Sequence, residues 1–436
     1  MLKRLLLSAP ITLAVGLLVR IATIAFVDFS TFNWTTPRPD LLMEYGVIAR
    51  NLAKGLGYSY TWYSSNGAAI TLPSAYMPPG LVFIEYGVIS LFGYTVSAAI
   101  VIFLLQVAMG TACIWLAGKI AQELFGSQTV AGTARWIVAL YPPFVYAVMS
   151  FGITTIVMLM SFLILLSALT LVRKIQEKKP TLQTSIILGV SSGILMLVRG
   201  EGPLIVCVTF IVLAIKLRSF FQSSRKPLTI AAIVAFAILA PWTIRNYLVF
   251  DKFIPVSSNA SFNFWRGNNE VTNGSPLTET GDPFWSTDEL WLRTERQFAT
   301  GVDFESNFSA IYREAAFQWI EEHPVGAVTL ALKKGAVFWT FDLRDRVGGW
   351  EYLILHSIAL VITIYGSVRL IKRRKRFNAL TNTGLSLIVM WAALATVIAM
   401  VFLPLARFQI ITMAMLVPIA AYGMTELLDR SIRENR

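Results

Sequence analysis

The chain has 436 residues, 56% of them hydrophobic and 14% charged, with a mean hydropathy of +0.63; soluble domains carry roughly 25% charge, so a water-soluble fold would have to hide nearly every helix. The net charge of +12 falls in short segments between apolar runs (Lys3-Arg4, 173–179, 216–226, 369–376 and 430–436), the bias of cytoplasmic loops and not the single basic face that nucleic acid requires. Cys113 and Cys207 lie inside apolar stretches, and His323 and His356 are the only histidines, which excludes a disulfide framework and a Cys/His zinc site.

In chain order, the first apolar run, 5–27, follows Lys3-Arg4 and is too long for a signal-peptide core. It reads as a retained signal-anchor helix that takes the chain outward. Residues 28–78 then form a long polar outer loop. Within it Pro39-Asp40 marks a helix start and Gly55-Leu56-Gly57 its stop. Leu41, Tyr45, Ile48 and Leu52 recur at helical spacing, so this helix can lie on the membrane surface. Pro78-Pro79 opens the segment 80–92, short for a span and carrying Glu85, which reads as a second juxtamembrane helix.

Spans follow at 95–118, 130–149, 152–172, 185–198, 203–217 and 228–247, and their connections place the basic clusters inside. Residues 248–349 form the largest polar stretch, on the outer side, helical over 314–334. A second surface helix covers 325–341, interrupted by Lys333-Lys334. Closing spans lie near 352–370, 380–402 and 408–427. The expected fold is an all-α polytopic transmembrane bundle of about ten spans. Its organisation is 1–248 as a transmembrane module with its first outer loop at 28–94, 249–349 as a large outer loop, and 350–436 as C-terminal helices. Transporters usually keep both sides short and place polar groups in broken helices at the midplane. Here the structured loops are all outside, which favours chemistry at the outer surface.

Three groups of residues can carry that chemistry. Asp40 and Glu44, at i and i+4, share a helix face that Asn51 extends, and a carboxylate there could deprotonate an acceptor hydroxyl. Against this, Asp40 is also an ordinary N-cap, and the helix dipole favours Glu44 in the first turns. Arg199, Arg245 and Arg407 sit at the predicted outer ends of spans, against the positive-inside bias, and guanidinium forks suit a lipid phosphate. Snorkelling is the plain alternative. The segment 257–269, with Trp265, Asn268 and Asn269, has the amides and indole that suit a sugar, and equally the composition of a turn-rich loop.

Taken together, these segments resemble the GT-C superfamily of integral membrane glycosyltransferases, in particular the bacterial branch related to protein O-mannosyltransferases and to the lipid A aminoarabinose transferase. The resemblance runs from about residue 5 to about residue 422. It rests on the acid-Tyr-x-x-Ile-Ala-x-Asn-Leu-x-x-Gly-x-Gly-Tyr pattern at 44–58, on Tyr76-Met-Pro-Pro-Gly with Leu91-Phe-Gly behind it, and on Pro241-Trp-Thr-Ile-Arg-Asn-Tyr leading to Gly267-Asn-Asn. It implies transfer of a sugar from a polyprenyl-phosphate donor to a glycan, lipid or protein acceptor at the outer face, with inversion. Asp40 or Glu44 would be the catalytic base, and Arg199 and Arg407 implied phosphate contacts. Tyr45, Tyr76, Glu201 and Asn246, within the matching motifs, join Asn51, Trp265, Asn268 and Asn269 as candidates for sugar or acceptor contact. Thr155 stands where many relatives carry a second acid, which speaks against a two-carboxylate Mg²⁺ or Mn²⁺ site, and Met77 replaces the lysine of the aminoarabinose branch. The expected location is a bacterial inner membrane, with the site facing the periplasm or cell exterior. A flippase of lipid-linked sugars and a non-catalytic scaffold of the same fold are the alternatives.

Overall fold

A computed structural model describes residues 8–27, 29, 43–63, 69–272, 304–340 and 349–434. Asp40 lies outside these residues, as does the helix start expected at Pro39-Asp40. Helix α1 (Ala9–Ala22, continued by a 3₁₀ turn to Phe26) is followed by α2 (Met43–Ala53), strands β1 (Ser59–Tyr63) and β2 (Ala69–Pro73), and α3 (Pro79–Phe92). Then come α4 (Val96–Phe125), α5 (Gln128–Leu140), the short α6 (Pro142–Tyr146), α7 (Thr154–Gln176), α8 (Leu182–Val198), α9 (Gly202–Lys216) and α10 (Phe221–Phe250). The remainder comprises α11 (Ala260–Arg266), α12 (Phe304–Glu322), α13 (Pro324–Trp339), α14 (Gly349–Arg373), α15 (Ala379–Val401) and α16 (Ala406–Glu434).

Among the described residues, 7 helical stretches are long and apolar enough to cross a membrane, and α3, α8 and α9 are shorter apolar helices. The all-helical membrane bundle expected from composition is therefore present. Its boundaries follow local chemistry. Thr95 and Ser127 cap α4 and α5 through their hydroxyls, and Asn378 caps α15 through its amide oxygen. Gly55 and Gly57, at φ 76° and 70°, stop α2 where expected. Pro79 opens α3.

Two expectations are corrected. The single span at 130–149 is broken at Tyr141, whose extended backbone (ψ 116°) is what the following Pro142 demands. The stretch expected to be helical over 314–334 is likewise broken, while the second helix expected over 325–341 is present as α13. His323 (φ −129°, ψ 57°) separates α12 from α13, because Pro324 cannot donate to the preceding turn.

The core is a continuous apolar cluster running from α2 and α3 through the bundle to α16. Helix α4 packs against α1, α5 and α7, and α16 against α5, α7 and α14. Arg20, fully buried in α1, donates from Nη2 to the Val138 carbonyl (2.7 Å) and from Nη1 to those of Ala139 and Gly16. It thus satisfies carbonyls at the C-terminus of α5, which lipid could not solvate.

Helices α14 and α16 touch backbone to backbone at Gly366 and Gly423. A Cβ at Gly366 would lie 2.4 Å from the Ile419 carbonyl oxygen, and one at Gly423 would lie 2.7 Å from that of Ile362. Small residues at such a crossing are what allow close packing when lipid offers no hydrophobic drive. Gly366→Leu should therefore force the helices apart and destabilise the protein by about 1–3 kcal/mol. Thermal unfolding in detergent measures this, and an unchanged midpoint would contradict it.

Candidate functional site

One rim of the bundle is assembled from α2, the β-ribbon, the turn between α8 and α9, and the first turn of α16. Glu44 and Tyr45 stand in the first turn of α2. Tyr45 is buried. Burial pushes its phenol upward; Arg407 opposes this, while Glu44, Glu85 and Glu201 add to it. Those four charged groups thus surround one tyrosine. Tyr76 is similarly raised, first by burial and next by the charge of Glu44.

Arg199, extended at the C-cap of α8, is buried and donates from Nε to Glu201 Oε2 at 3.1 Å. Burial alone would raise the Glu201 carboxyl, but the charge and hydrogen bond of Arg199, a backbone bond and the charge of Arg407 together hold the group below its ordinary value. Arg199 lies 4.3 Å over the Phe408 ring, and the exposed Arg407 lies 5.6 Å from the same ring. One phenylalanine therefore gathers two arginines distant from each other in sequence. Arg199 is also the one charged side chain, among the described residues, lining an apolar cleft formed with Ile205, Trp391, Leu394, Ile398, Ile411 and Met415.

Arg245 is placed differently. Its Nη1 donates to Ser74 O (2.7 Å) and Asn246 Oδ1 (3.0 Å), and its Nη2 to Tyr58 O (2.9 Å). It lies over the rings of Tyr58, Trp242 and Phe250 and closes the open end of the ribbon.

The candidate amides also bond the protein's own backbone. Asn51 donates to Ser59 O and Thr61 Oγ1, joining α2 to β1, and Asn246 donates to Ile254 O. Asn268 donates to Phe264 O and Val401 O, and Asn269 to Trp265 O. Trp265 is buried, with its ring 4.6 Å from Tyr312 and 5.9 Å from Phe262. The structure thus brings Glu44, Tyr45, Tyr76, Glu201, Arg199 and Arg407 into one electrostatic neighbourhood and sets the other described candidates into the frame around it. Thr155 donates to Ala147 O (3.1 Å). Among the described residues no three His, Cys, Asp or Glu side chains converge as a metal site.

Sequence reading missed several contributors. Strands β1 and β2 pair in register from Ser59↔Pro73 to Tyr63↔Ala69. They carry Tyr60 and Trp62 against Tyr76, with centroids 5.6 and 5.2 Å away. The signal was available in the alternating Tyr60 and Trp62 and in the Asn66-Gly67 dipeptide between the strands. Arg266 ends α11 and donates to Asn263 Oδ1. Burial lowers its pKa to about 10, with Tyr76, Arg407 and Glu44 as its charged neighbours. Lys334, the expected interruption of a surface helix, is turned inward. Its Nζ donates to Gly267 O, Asn268 Oδ1, Val401 O and Phe402 O, tying the ends of α11 and α15 together.

Glu305, at the start of α12, is buried beneath the ribbon. Burial pushes its carboxyl above the ordinary 4.5, against bonds from Ser74, Ala75 N and Ser258 and the charge of Arg245. Tyr58 and Tyr76 are the other titratable groups in reach. The folded chain holds this proton more tightly than the unfolded one. That contribution to stability is therefore complete below the ordinary value and is lost as pH rises through the raised one. Glu305→Gln, with no proton to lose, should gain on the wild type as pH increases from about 4 to about 8. Unfolding midpoints across that range test this, and parallel curves would refute it.

Comparison with known proteins follows the same lines. Residues 77–244 match the model of the dolichyl-phosphate-mannose-protein mannosyltransferase family. No curated protein matches in sequence. Among solved structures, the archaeal oligosaccharyltransferase AglB from Archaeoglobus fulgidus, in complex with an inhibitory peptide and a dolichol-phosphate, aligns at TM-score 0.55 and 16% identity, covering 96% of this chain and 50% of that one. The apo form of the A. fulgidus oligosaccharyltransferase gives 0.53 and 15%, covering 97% and 51%. This chain thus spans about half the length of those enzymes. ArnT from Cupriavidus metallidurans bound to undecaprenyl phosphate aligns at 0.42 and 12%, covering 95% and 78%. Residues 77–244 thus match the model of a membrane mannosyltransferase family, and the bundle as a whole shares its fold with the archaeal oligosaccharyltransferase.

Proposed function

We propose that the protein transfers a sugar from a polyprenyl-phosphate donor to a glycan, lipid or protein acceptor at the outer face of the membrane. The observation that carries this reading is the apolar cleft whose charged lining residue, Arg199, shares the Phe408 ring with Arg407. The cleft suits a lipid chain, and the arginines suit its phosphate. Arg407 stands in the first turn of α16, where the helix dipole adds positive potential. Glu201 fixes the Nε edge of Arg199, leaving the Nη groups for the phosphate. The dolichol-phosphate held by the archaeal enzyme of the same fold is consistent with such a donor.

In this mechanism the first-loop carboxylate, Asp40 or Glu44, takes the proton of the acceptor hydroxyl. The acceptor oxygen bonds to the anomeric carbon as the carbon–oxygen bond to phosphate breaks, and the electron pair leaves with the lipid phosphate toward Arg199 and Arg407. Attack opposite the leaving group inverts the anomeric centre. Tyr45 and Tyr76, beside Glu44, orient the sugar or acceptor. Arg245, Asn51, Asn246, Trp265, Asn268 and Asn269 hold the frame. The basic loops support a rim on the periplasmic or exterior side of a bacterial inner membrane.

Purified protein supplied with polyprenyl-phosphate sugars should release lipid phosphate. Replacing the base, by Asp40→Asn or Glu44→Gln, should lower turnover by about 100-fold or more. Full turnover in both variants would overturn the assignment of the base. Movement of the donor across vesicles with no phosphate released would instead mark a transporter.

A further inference from the structure

One peptide group beneath the rim is gripped at both ends by side chains from distant parts of the chain. The Ser74 carbonyl accepts from Arg245 Nη1 at 2.7 Å, and the Ala75 N–H of the same peptide donates to Glu305 Oε2 at 2.8 Å. Ser258 bonds the same stretch through its N–H to Ala75 O (2.8 Å) and bonds Glu305 Oε2 through its hydroxyl (2.9 Å). Beyond Tyr76, the Met77 carbonyl accepts from the Tyr58 hydroxyl at 2.8 Å. The Tyr76 amide itself donates to Ser74 Oγ. The backbone on either side of Tyr76 is therefore fixed by α10, by α12 and by the ribbon.

We propose that Glu305 and Arg245 are positioning residues: together they clamp the Ser74–Ala75 peptide and so set Tyr76 against Glu44. This rests on the transferase reading above and deepens it, because it makes the geometry of the base depend on the second outer loop. Glu305 opens α12, and α12 also packs Phe304 and Phe308 on Trp62, whose ring meets Tyr76. Ser309 donates to Ser258 O and Lys252 to Ser306 Oγ, so the contact between the two outer loops is continuous. Neither Glu305 nor Arg245 needs to touch substrate for this role. A displacement of Tyr76 by a fraction of its own ring width is enough to misalign a proton transfer.

The test uses the full-length protein in detergent. Glu305→Ala should lower kcat by about 10- to 100-fold. Its affinity for polyprenyl phosphate, measured separately, should stay within about twofold of wild type. Glu305→Gln keeps an acceptor for the Ala75 N–H and should restore kcat to within about threefold. Wild-type kcat in Glu305→Ala, or equal losses of kcat and lipid-phosphate affinity, would overturn the proposal. If Glu305→Ala does not fold, Arg245→Lys attacks the clamp from its other end and should give the same split; an unchanged kcat there overturns it equally. Hydrogen exchange at the Ala75 amide gives a readout that needs no turnover. It should quicken in Glu305→Ala and hold in Glu305→Gln, and no difference between them would sink the clamp. An inactive wild type with this exchange pattern would count against the transferase reading alone.

Discussion

A helix that ends where water cannot reach leaves carbonyls unpaired, each at a cost of several kcal/mol. The bundle meets that cost with cationic side chains. Arg20 serves the end of α5, and Lys334 serves the ends of α11 and α15 at once. Arg245 does the same for the open end of a two-stranded ribbon. These cations sit where apolar periodicity would place an aliphatic residue, and each joins segments remote in sequence. Removing one would strand several acceptors together, so they act as joints of the architecture more than as individual contacts.

The same physics separates the arginines at the rim into two kinds. Arg245 directs its Nη groups to oxygens of the chain. Arg199 spends its Nε edge on a carboxylate, and Arg407 remains exposed. A guanidinium already saturated by carbonyls has little left for a phosphate, whereas one oriented by a single carboxylate keeps a fork. The distinction depends on partners and not on residue type.

That is also the limit of what was legible in the sequence. Helix ends set by local rules were readable: Gly55 and Gly57 after α2, and Pro79 at the start of α3. The breaks at Tyr141 and Pro324 follow from the same proline rule but were outweighed by apolar runs on either side. The ribbon is hard to read from sequence because its alternation is short and lies inside a polar loop with no apolar run to mark it. Asn51, Asn246, Asn268 and Asn269 were recognisable as hydrogen-bonding groups, yet their partners are carbonyls set by tertiary packing. Lys334 looked like a flaw in an apolar helix until the carbonyls of Gly267, Val401 and Phe402 were placed around it. Glu305 carries no local signal, since its bond to Ala75 joins residues 230 apart in sequence.

Helix α10 has 30 residues, which at 1.5 Å each makes a rod of about 45 Å. The hydrocarbon core of a bilayer is about 30 Å thick. Part of the surplus takes Arg225 and Lys226 at one end, and the rest carries Trp242, Arg245 and Phe250 at the other. The rod is thus a post that fixes the height of the rim above the hydrocarbon. A thicker bilayer would drown the polar rim in acyl chains, and a thinner one would lift it clear of the phosphate layer. For this architecture, membrane thickness is as much a part of the geometry of the rim as any side chain.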